Sequence, residues 1–584
     1  MKLQITRLLE SALASLPLGT LPDAVALPAI EIERTRDPLH GDFASNIAMR
    51  LAKVARRNPR QLAQAIVDAL PASETIAKVE IAGAGFINFH LAPQAYREEL
   101  LRIIDQHARY GRSAMGQGQR ILLEFVSANP TGPLHVGTGR HAAYGATLAN
   151  LLEAAGFEVH REYYINDAGR QMDIFACSVW LRYLELCGVE FAFPSNGYRG
   201  DYILPIAQAL FDAVGRRYQR SAGEIFTGLV PDAPAGDMDQ HVDAVIARAR
   251  ELLGEGYQVI LEHGLRQMLA AIHTDLAEFG VTFDDWRSER TLFDSGLVDR
   301  TLELLKSKDE IYQKDGAWWF RTTQHGDEKD RVVVRENGQK TYFASDIAYH
   351  LDKSERGFDL LINVWGADHH GYIPRVKAGL AALGKSPDLL EVRLIQLVAL
   401  FKGGEPVAMG KRSGEFVTLR DLRAEVGNDA ARLFYVMRSN DQHLDFDLEL
   451  AKSTSNDNPV YYLQYAHARV ASVMRQLREK GYEFDVQAAK SSLASLQETH
   501  EQALIASMSR YPETIENCAL HRAPHALVHY LRELANDFHT YYNAHQFIVP
   551  DASTRNARLL LITAFQQVLR NGLQILGVSA PESM

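Results

Sequence analysis

The segment that most constrains this chain is Ile121-Leu122-Leu123-Glu124-Phe125-Val126, together with the loop and helix after it. A short, nearly continuous apolar run is the pattern of a strand buried on both faces of a parallel sheet. A Pro/Gly-rich loop occupies 127–137, and a helical pattern then runs over about 139–155, closed by Gly156 at a C-cap position. Residues 157–165 are the next strand. Strand, loop, helix and strand make a βαβ unit. Further parallel-strand patterns come at 331–334, 360–365 and 391–397. The mainly helical stretch of about 172–285, broken near 231–236, reads as an insertion between them.

With 584 residues the chain exceeds one hydrophobic core, so three or four folding units are expected. Residues 1–115 read as a small α/β unit, with a strand pair near 78–81 and 86–91 joined through Gly83-Ala84-Gly85. Residues 116–430 hold the Rossmann-type parallel sheet with its helical insertion, and 431–455 connect it onward. Residues 456–584 are helical throughout: Val460, Leu463, His467, Val470, Met474 and Leu477 line one face, and Leu559, Ile562, Phe565, Leu569 and Leu576 another. This is the pattern of an all-α bundle. Arg50, Lys53, Arg57 and Arg60 recur at helical steps. They form either a solvated face or a phosphate-binding one.

No stretch has the roughly 20 uninterrupted apolar residues of a membrane helix, and the first residues lack a signal-peptide pattern. Three scattered cysteines, Cys177, Cys187 and Cys518, suit neither a disulfide framework nor a structural metal. A reducing cytoplasm is expected. The net charge of −11 argues against wholesale nucleic-acid binding but not against local basic patches.

Two segments could carry chemistry. The first is the loop Asn129-Pro130-Thr131-Gly132-Pro133-Leu134-His135-Val136-Gly137-Thr138. Ligands of parallel sheets bind at the carboxyl ends of strands, where a helix N-terminus favours phosphate. Gly137 allows close approach, and His135 could donate to a phosphoryl oxygen. The second is Met409-Gly410-Lys411-Arg412-Ser413-Gly414, a Gly-rich basic loop able to close on a triphosphate.

In this order the two segments resemble the His-Ile-Gly-His-like and Lys-Met-Ser-Lys-like signatures of class I aminoacyl-tRNA synthetases. Longer segments narrow the resemblance to bacterial arginyl-tRNA synthetases. These are 127–137, Glu162-Tyr163-Tyr164-Ile165-Asn166-Asp167-Ala168-Gly169-Arg170-Gln171, Trp365-Gly366-Ala367-Asp368-His369-His370-Gly371-Tyr372, Tyr461-Tyr462-Leu463-Gln464-Tyr465-Ala466-His467-Ala468-Arg469, and Leu576-Gly577-Val578-Ser579-Ala580-Pro581-Glu582. The first signature here ends in Thr138 rather than His; the second has Ala408 and Gly410 where Lys and Ser are usual, and keeps Lys411. Members that lose that Lys carry another at the position of Gly132, which agrees with Lys411 being the working residue.

The resemblance implies activation of L-arginine by ATP, entering with its Mg2+, and transfer to the 3′ end of tRNA(Arg), with tRNA needed for activation. It implies catalytic roles for His135, Lys411 and Thr138, and ATP contacts from His135, Val136, Gly137, Thr138, Met409 and Lys411. A guanidinium is best met by carboxylates, and the resemblance places Asp346, Tyr342, Glu124, Asn129 and His369 around arginine. A carboxylate inside a buried strand, as at Glu124, is costly unless paired; Asp346 could instead cap a helix beginning near Ile347. The N-terminal unit would meet the outer corner of the tRNA through Phe86 and Asn88, and the bundle its anticodon through Tyr461 and Arg469. A monomer without a structural metal is expected.

Overall fold

The computed structural model describes residues 1–17, 27–35, 37–407 and 417–584. The N-terminal unit opens with the helix Lys2–Ala14 and builds an antiparallel sheet from β1 (Ile32–Arg34), β2 (Phe43–Ser45), β3 (Ile76–Ala82) and β4 (Phe86–Leu91), in the order β1-β2-β4-β3. Its core is its own, with Leu9, Phe43, Leu51, Ile66, Ile87 and Phe89 buried together. The expected basic stripe does not form. The helix Ile47–Ala55 ends at Arg56 in a left-handed conformation, and Asn58 caps a new helix, Pro59–Asp68, by accepting from the N–H groups of Arg60 and Gln61. Arg50 turns to Glu31 and Arg60 to the carbonyl of Gly83. An Asn-Pro pair is a helix breaker because the residue before proline is pushed out of the α region.

The second unit begins with β5 (Arg120–Glu124), the helix Val136–Ala154 and β6 (Glu158–Ile165). The inserted helices run from Arg170–Leu186 to Glu255–Glu278 and return to the sheet at β7 (Asp285–Ser288), a strand the sequence pattern does not announce. Next come β8 (Ile311–Lys314), β9 (Ala317–Phe320) and β10 (Arg331–Val334). These three form a separate antiparallel sheet, so the expected parallel strand at 331–334 is instead a hairpin partner of β9. The chain re-enters the main sheet at β11 (Leu360–Gly366) and β12 (Leu390–Ile395), giving the all-parallel order β12-β11-β5-β6-β7. Succession runs outward from β5 on one side and resumes at β11 on the other. The topological switch point, where open α/β sheets bind ligands, therefore lies between the carboxyl ends of β5 and β11.

Residues 398–447 add a small sheet of β13 (Val398–Lys402), β14 (Glu405–Pro406) and β15 (Leu444–Asp447), with β13 and β15 parallel. The stretch expected to connect at 431–455 is thus folded: it contains β15 and most of the helix Asn428–Val436. The C-terminal helices, among them Pro459–Glu479, Pro524–Ala544 and Ala552–Leu576, pack with Phe538 stacked on Phe565 at 4.1 Å. Their core is continuous with that of the parallel-sheet unit.

Arg432 fastens this junction. It is buried, and its guanidinium donates to the carbonyls of Leu576 (2.9 Å), Phe279 (2.9 Å) and Gly280 (3.3 Å), tying the end of the last helix to the end of the insertion. Burial lowers its guanidinium to about 10. Gly577 is required beside it, since a Cβ there would lie 2.3 Å from Nε. Arg432→Met should leave these acceptors unmet at about 1–3 kcal/mol each before relaxation. A clear drop in the thermal unfolding midpoint checks this.

Candidate active site

The helix Val136–Ala154 starts three residues earlier than its apolar pattern indicates, because His135 is its N-cap. The imidazole Nδ1 accepts from the N–H of Thr138 at 3.3 Å, which puts the proton of a neutral ring on Nε2. Gly137 makes this possible, since a Cβ there would stand 2.8 Å from His135 Cε1. Thr138 is buried at 7 % exposure. Tyr435 Oη donates to the carbonyl of Val136 at 2.7 Å, and the buried Arg140 binds the carbonyls of Gln396, Ser439 and Gln442. These bonds lock the first turn to the loops beyond β12.

The two candidate loops meet at this helix start. The N–H of Val136 donates to the carbonyl of Val417 (3.3 Å), and that of Leu419 to the carbonyl of Leu134 (2.7 Å). Met409 and Lys411 lie outside the described residues, but the chain leaving their loop is laid against the first loop. His141, one turn along the same helix, was not singled out from sequence. Burial, then the neighbouring His135 and Arg140, lowers its imidazole to about 4, with Asp368 opposing.

Beside this loop, at the switch point, lies a group of acids. At the end of β5 the backbone enters the left-handed region at Val126 (φ 71°) and Ser127 (φ 41°), conformations costly for residues with a Cβ. The turn brings Ser127 Oγ back onto Glu124 Oε1 at 3.0 Å. Glu124 Oε2 is taken by Lys353. Asp346 stands in the helix Tyr342–Glu355, whose N-cap is Thr341, so it is not a cap. Its carboxylate accepts from Tyr372, and burial raises it to about 6. Glu289, also missed from sequence, is 3 % exposed and accepts from Ser345 Oγ at 2.9 Å. Burial raises it to about 7, with Asp346 and Asp167 adding to the rise. Tyr164 reaches among these groups; its hydroxyl is buried without a hydrogen-bond partner among the described residues. Burial and then the charges of Glu289, Asp346, Glu124 and Asp167 push it far above its ordinary value.

Tyr342, 58 % exposed, lies at the mouth against Gly169, where a Cβ would meet its hydroxyl at 2.7 Å. Asn129 Nδ2 donates to Gln171 Oε1 at 2.6 Å. His369 is not brought to Asp346. Its ring is exposed, 3.6 Å from Asp368 and edge-on to Trp365, and Tyr372 of the same segment makes the contact instead.

Of the residues expected to meet RNA, Phe86 is exposed at 42 %, but Asn88 is buried between Ala44 of β2 and Glu80 of β3 rather than presented beside it. On the bundle, Tyr461 stacks on Tyr465, and the Arg469 guanidinium lies over Tyr465 (4.5 Å) and Tyr542 (4.4 Å). Tyr541 packs inside and donates to Glu501.

A parallel sheet, a His-capped helix at the first loop, the exit of a second loop bound to it and a helical C-terminal unit are the arrangement expected of a class I aminoacyl-tRNA synthetase. Residues 3–91 match the arginyl tRNA synthetase N terminal domain, 99–185 the catalytic domain of class I (R) tRNA synthetases, and 463–584 the DALR anticodon binding domain. The arginine–tRNA ligase of Thioalkalivibrio sulfidiphilus is 59 % identical over 587 residues, and that of Halorhodospira halophila 56 % over 586, each covering all of both chains. Among solved structures, a putative arginyl-tRNA synthetase from Campylobacter jejuni shares 32 % identity at a TM-score of 0.73, over 85 % of this chain and all of that one. The Thermus thermophilus arginyl-tRNA synthetase, 23 % identical over the whole of both chains, shows the same fold with a TM-score of 0.73. This chain belongs to the arginine–tRNA ligase family.

Gly137→Ala separates folding from chemistry. Alanine is the better helix former by about 1 kcal/mol, which offsets the lost His135 cap of about the same size, so stability should hold while the added Cβ displaces the His135 ring. Adenylate formation, read by ATP–pyrophosphate exchange, should fall about tenfold or more.

Proposed function

We infer that this enzyme activates L-arginine with ATP to arginyl-adenylate and pyrophosphate, then transfers arginine to the 3′ end of tRNA(Arg). The observation carrying the choice of amino acid is the pair Asp346 and Glu289. Among the described residues their partners are hydroxyls, from Tyr372 and Ser345, and not cations. Two buried acids without an ion pair of their own fit a planar cation with several donors. Tyr342 stands at the entrance, and Glu124, paired with Lys353, forms the floor without taking a donor of the substrate. Asn129 lies toward the amino-acid backbone, with His369 at the outer edge near His141.

In this reading the arginine carboxylate attacks the α-phosphorus in line. His135 donates from Nε2–H to a phosphoryl oxygen, the helix start receives phosphate through Gly137 and the hydroxyl of Thr138, and Lys411 with Met409 closes over the leaving pyrophosphate, which departs with its magnesium. Positioning and charge stabilisation supply the catalysis, with no protein nucleophile. The tRNA runs from the bundle, at Tyr461 and Arg469, toward the exposed Phe86. The enzyme works as a cytoplasmic monomer.

The direct test is ATP–pyrophosphate exchange with each amino acid, with and without tRNA. Exchange should require arginine and tRNA together; exchange with another amino acid and not with arginine overturns the assignment. Asp346→Asn should raise the arginine KM by about a hundredfold, the scale of one lost charge-assisted pair.

The acids also set a pH dependence. A guanidinium binds their ionised forms, and Asp346 and Glu289 lose their protons near 6 and 7. The kcat/KM for arginine, which reports the free enzyme, should therefore climb as pH rises through 6 to 7 and level off above. Both carboxyls hold protons more tightly folded than unfolded, so their ionisation costs stability as pH rises. Arginine should accordingly raise the thermal midpoint more at pH 8 than at pH 6.

A further inference from the structure

Beneath the acids lies a cation that the mechanism above does not use. Lys353 is fully buried, on the face of the helix Tyr342–Glu355 that packs on the sheet. Its ammonium donates to Glu124 Oε2 and, at 2.9 Å, to Asn363 Oδ1, and stands 4.2 Å from the centre of the Tyr349 ring. Glu124 and Asn363 are register partners on β5 and β11, so Lys353 bridges the two strands at the switch point.

The bonding order onward is fixed. An ammonium only donates, so the Asn363 amide turns its oxygen to Lys353 and its Nδ2 to His350 Nε2, 3.0 Å away. His350 Nε2 then accepts, and Nδ1–H donates to the carbonyl of Asp346 at 2.8 Å. Burial and the nearby Lys353 lower the His350 imidazole to about 3, so the neutral ring keeps this arrangement at neutral pH. One unbroken line of bonds thus joins the Glu124 carboxylate to the backbone of Asp346. The remaining oxygen of Glu124 is held by Ser127.

We propose that Lys353 is a positioning residue that determines specificity by occupying Glu124 from within the protein, so that an incoming cation meets Asp346 and Glu289 alone. The inference rests on the arginine-pocket reading above. A carboxylate, an amide oxygen and an aromatic face around one point are what a substrate ammonium would seek. Here that point is filled by the protein's own ammonium. A guanidinium spanning Asp346 and Glu289 does not need it, whereas a lysine substrate finds its best partner taken. Filling a competitor's site in this way discriminates without adding a contact to the preferred substrate.

The test compares Lys353→Met, Glu124→Gln and the double variant Glu124→Gln/Lys353→Met in the full-length enzyme. The measurement is tRNA-dependent exchange with arginine and with lysine. Lys353→Met should lower the preference for arginine over lysine by about tenfold or more, with the arginine defect mainly in KM, the pattern of altered binding. The double variant removes both charges and should restore the preference to within about threefold of the parent. An unchanged preference in folded Lys353→Met, a loss confined to kcat, or a double variant no better than the single one overturns the proposal. Should Lys353→Met fail to fold, the double variant is compared with Glu124→Gln. With Glu124 gone Lys353 has nothing to occupy, so equal preferences support the proposal and a difference of about tenfold overturns it. Asp346→Asn run alongside isolates the underlying reading: an unchanged arginine KM there sinks the pocket assignment whatever Lys353 does.

Discussion

The functional end of this protein depends on the parallel pairing of β5 with β11. Leu122 faces Leu361 in that ladder, and two residues on Glu124 faces Asn363. The apolar step holds the strands in the core. The polar step, at their carboxyl ends, puts a carboxylate and an amide where the sheet opens into its crevice. Every later feature of the site is referred to this step: Lys353 bridges it, His350 and Asn363 carry it to Asp346, and Ser127 closes it from the loop above. A buried ion pair is a poor stabiliser compared with apolar residues of the same volume. Its place at the switch point is therefore better explained by the charge pattern it sets than by the stability of the sheet.

The βαβ unit was legible because its signal is periodicity: an apolar run, a Pro/Gly loop, a helical repeat and Gly156, which adopts φ 88°. What was misread lacks such a signal. Residues 331–334 are as apolar as a buried parallel strand, but apolarity does not reveal strand direction, and their partner is the neighbouring β9. β7, Asp285–Ser288, carries a single apolar residue, Trp286, which stacks on Tyr163 where the strand pairs with β6. The division of the basic stripe was legible in principle, since Asn58-Pro59 interrupts it.

The site was readable to the same uneven degree. Glu124 stood out as a charge inside an apolar run. Lys353 could not stand out, because Asp352, Lys353, Ser354, Glu355 and Arg356 together look like the polar end of a surface helix. Only packing shows that Lys353 faces inward. Glu289 and Tyr372 were hidden for the same reason: each becomes a site residue through a partner distant in sequence, Ser345 for one and Asp346 for the other.

The chemistry is set by where charge is left over. Glu124 is neutralised by Lys353, while Asp346 and Glu289 are held in low-dielectric surroundings that favour their protonated forms. In the proposed reading a guanidinium meets both carboxyls at once and favours their ionised forms. In that reading a side chain without a planar cation leaves both acids unpaired and is rejected on binding. The same economy governs the nucleotide side. With its exit fastened at Val136 and Leu134, the second loop shares a helix start with the first. Where Thr138 stands in place of the usual second histidine, orientation at the helix start is supplied by the His135 cap and by Gly137.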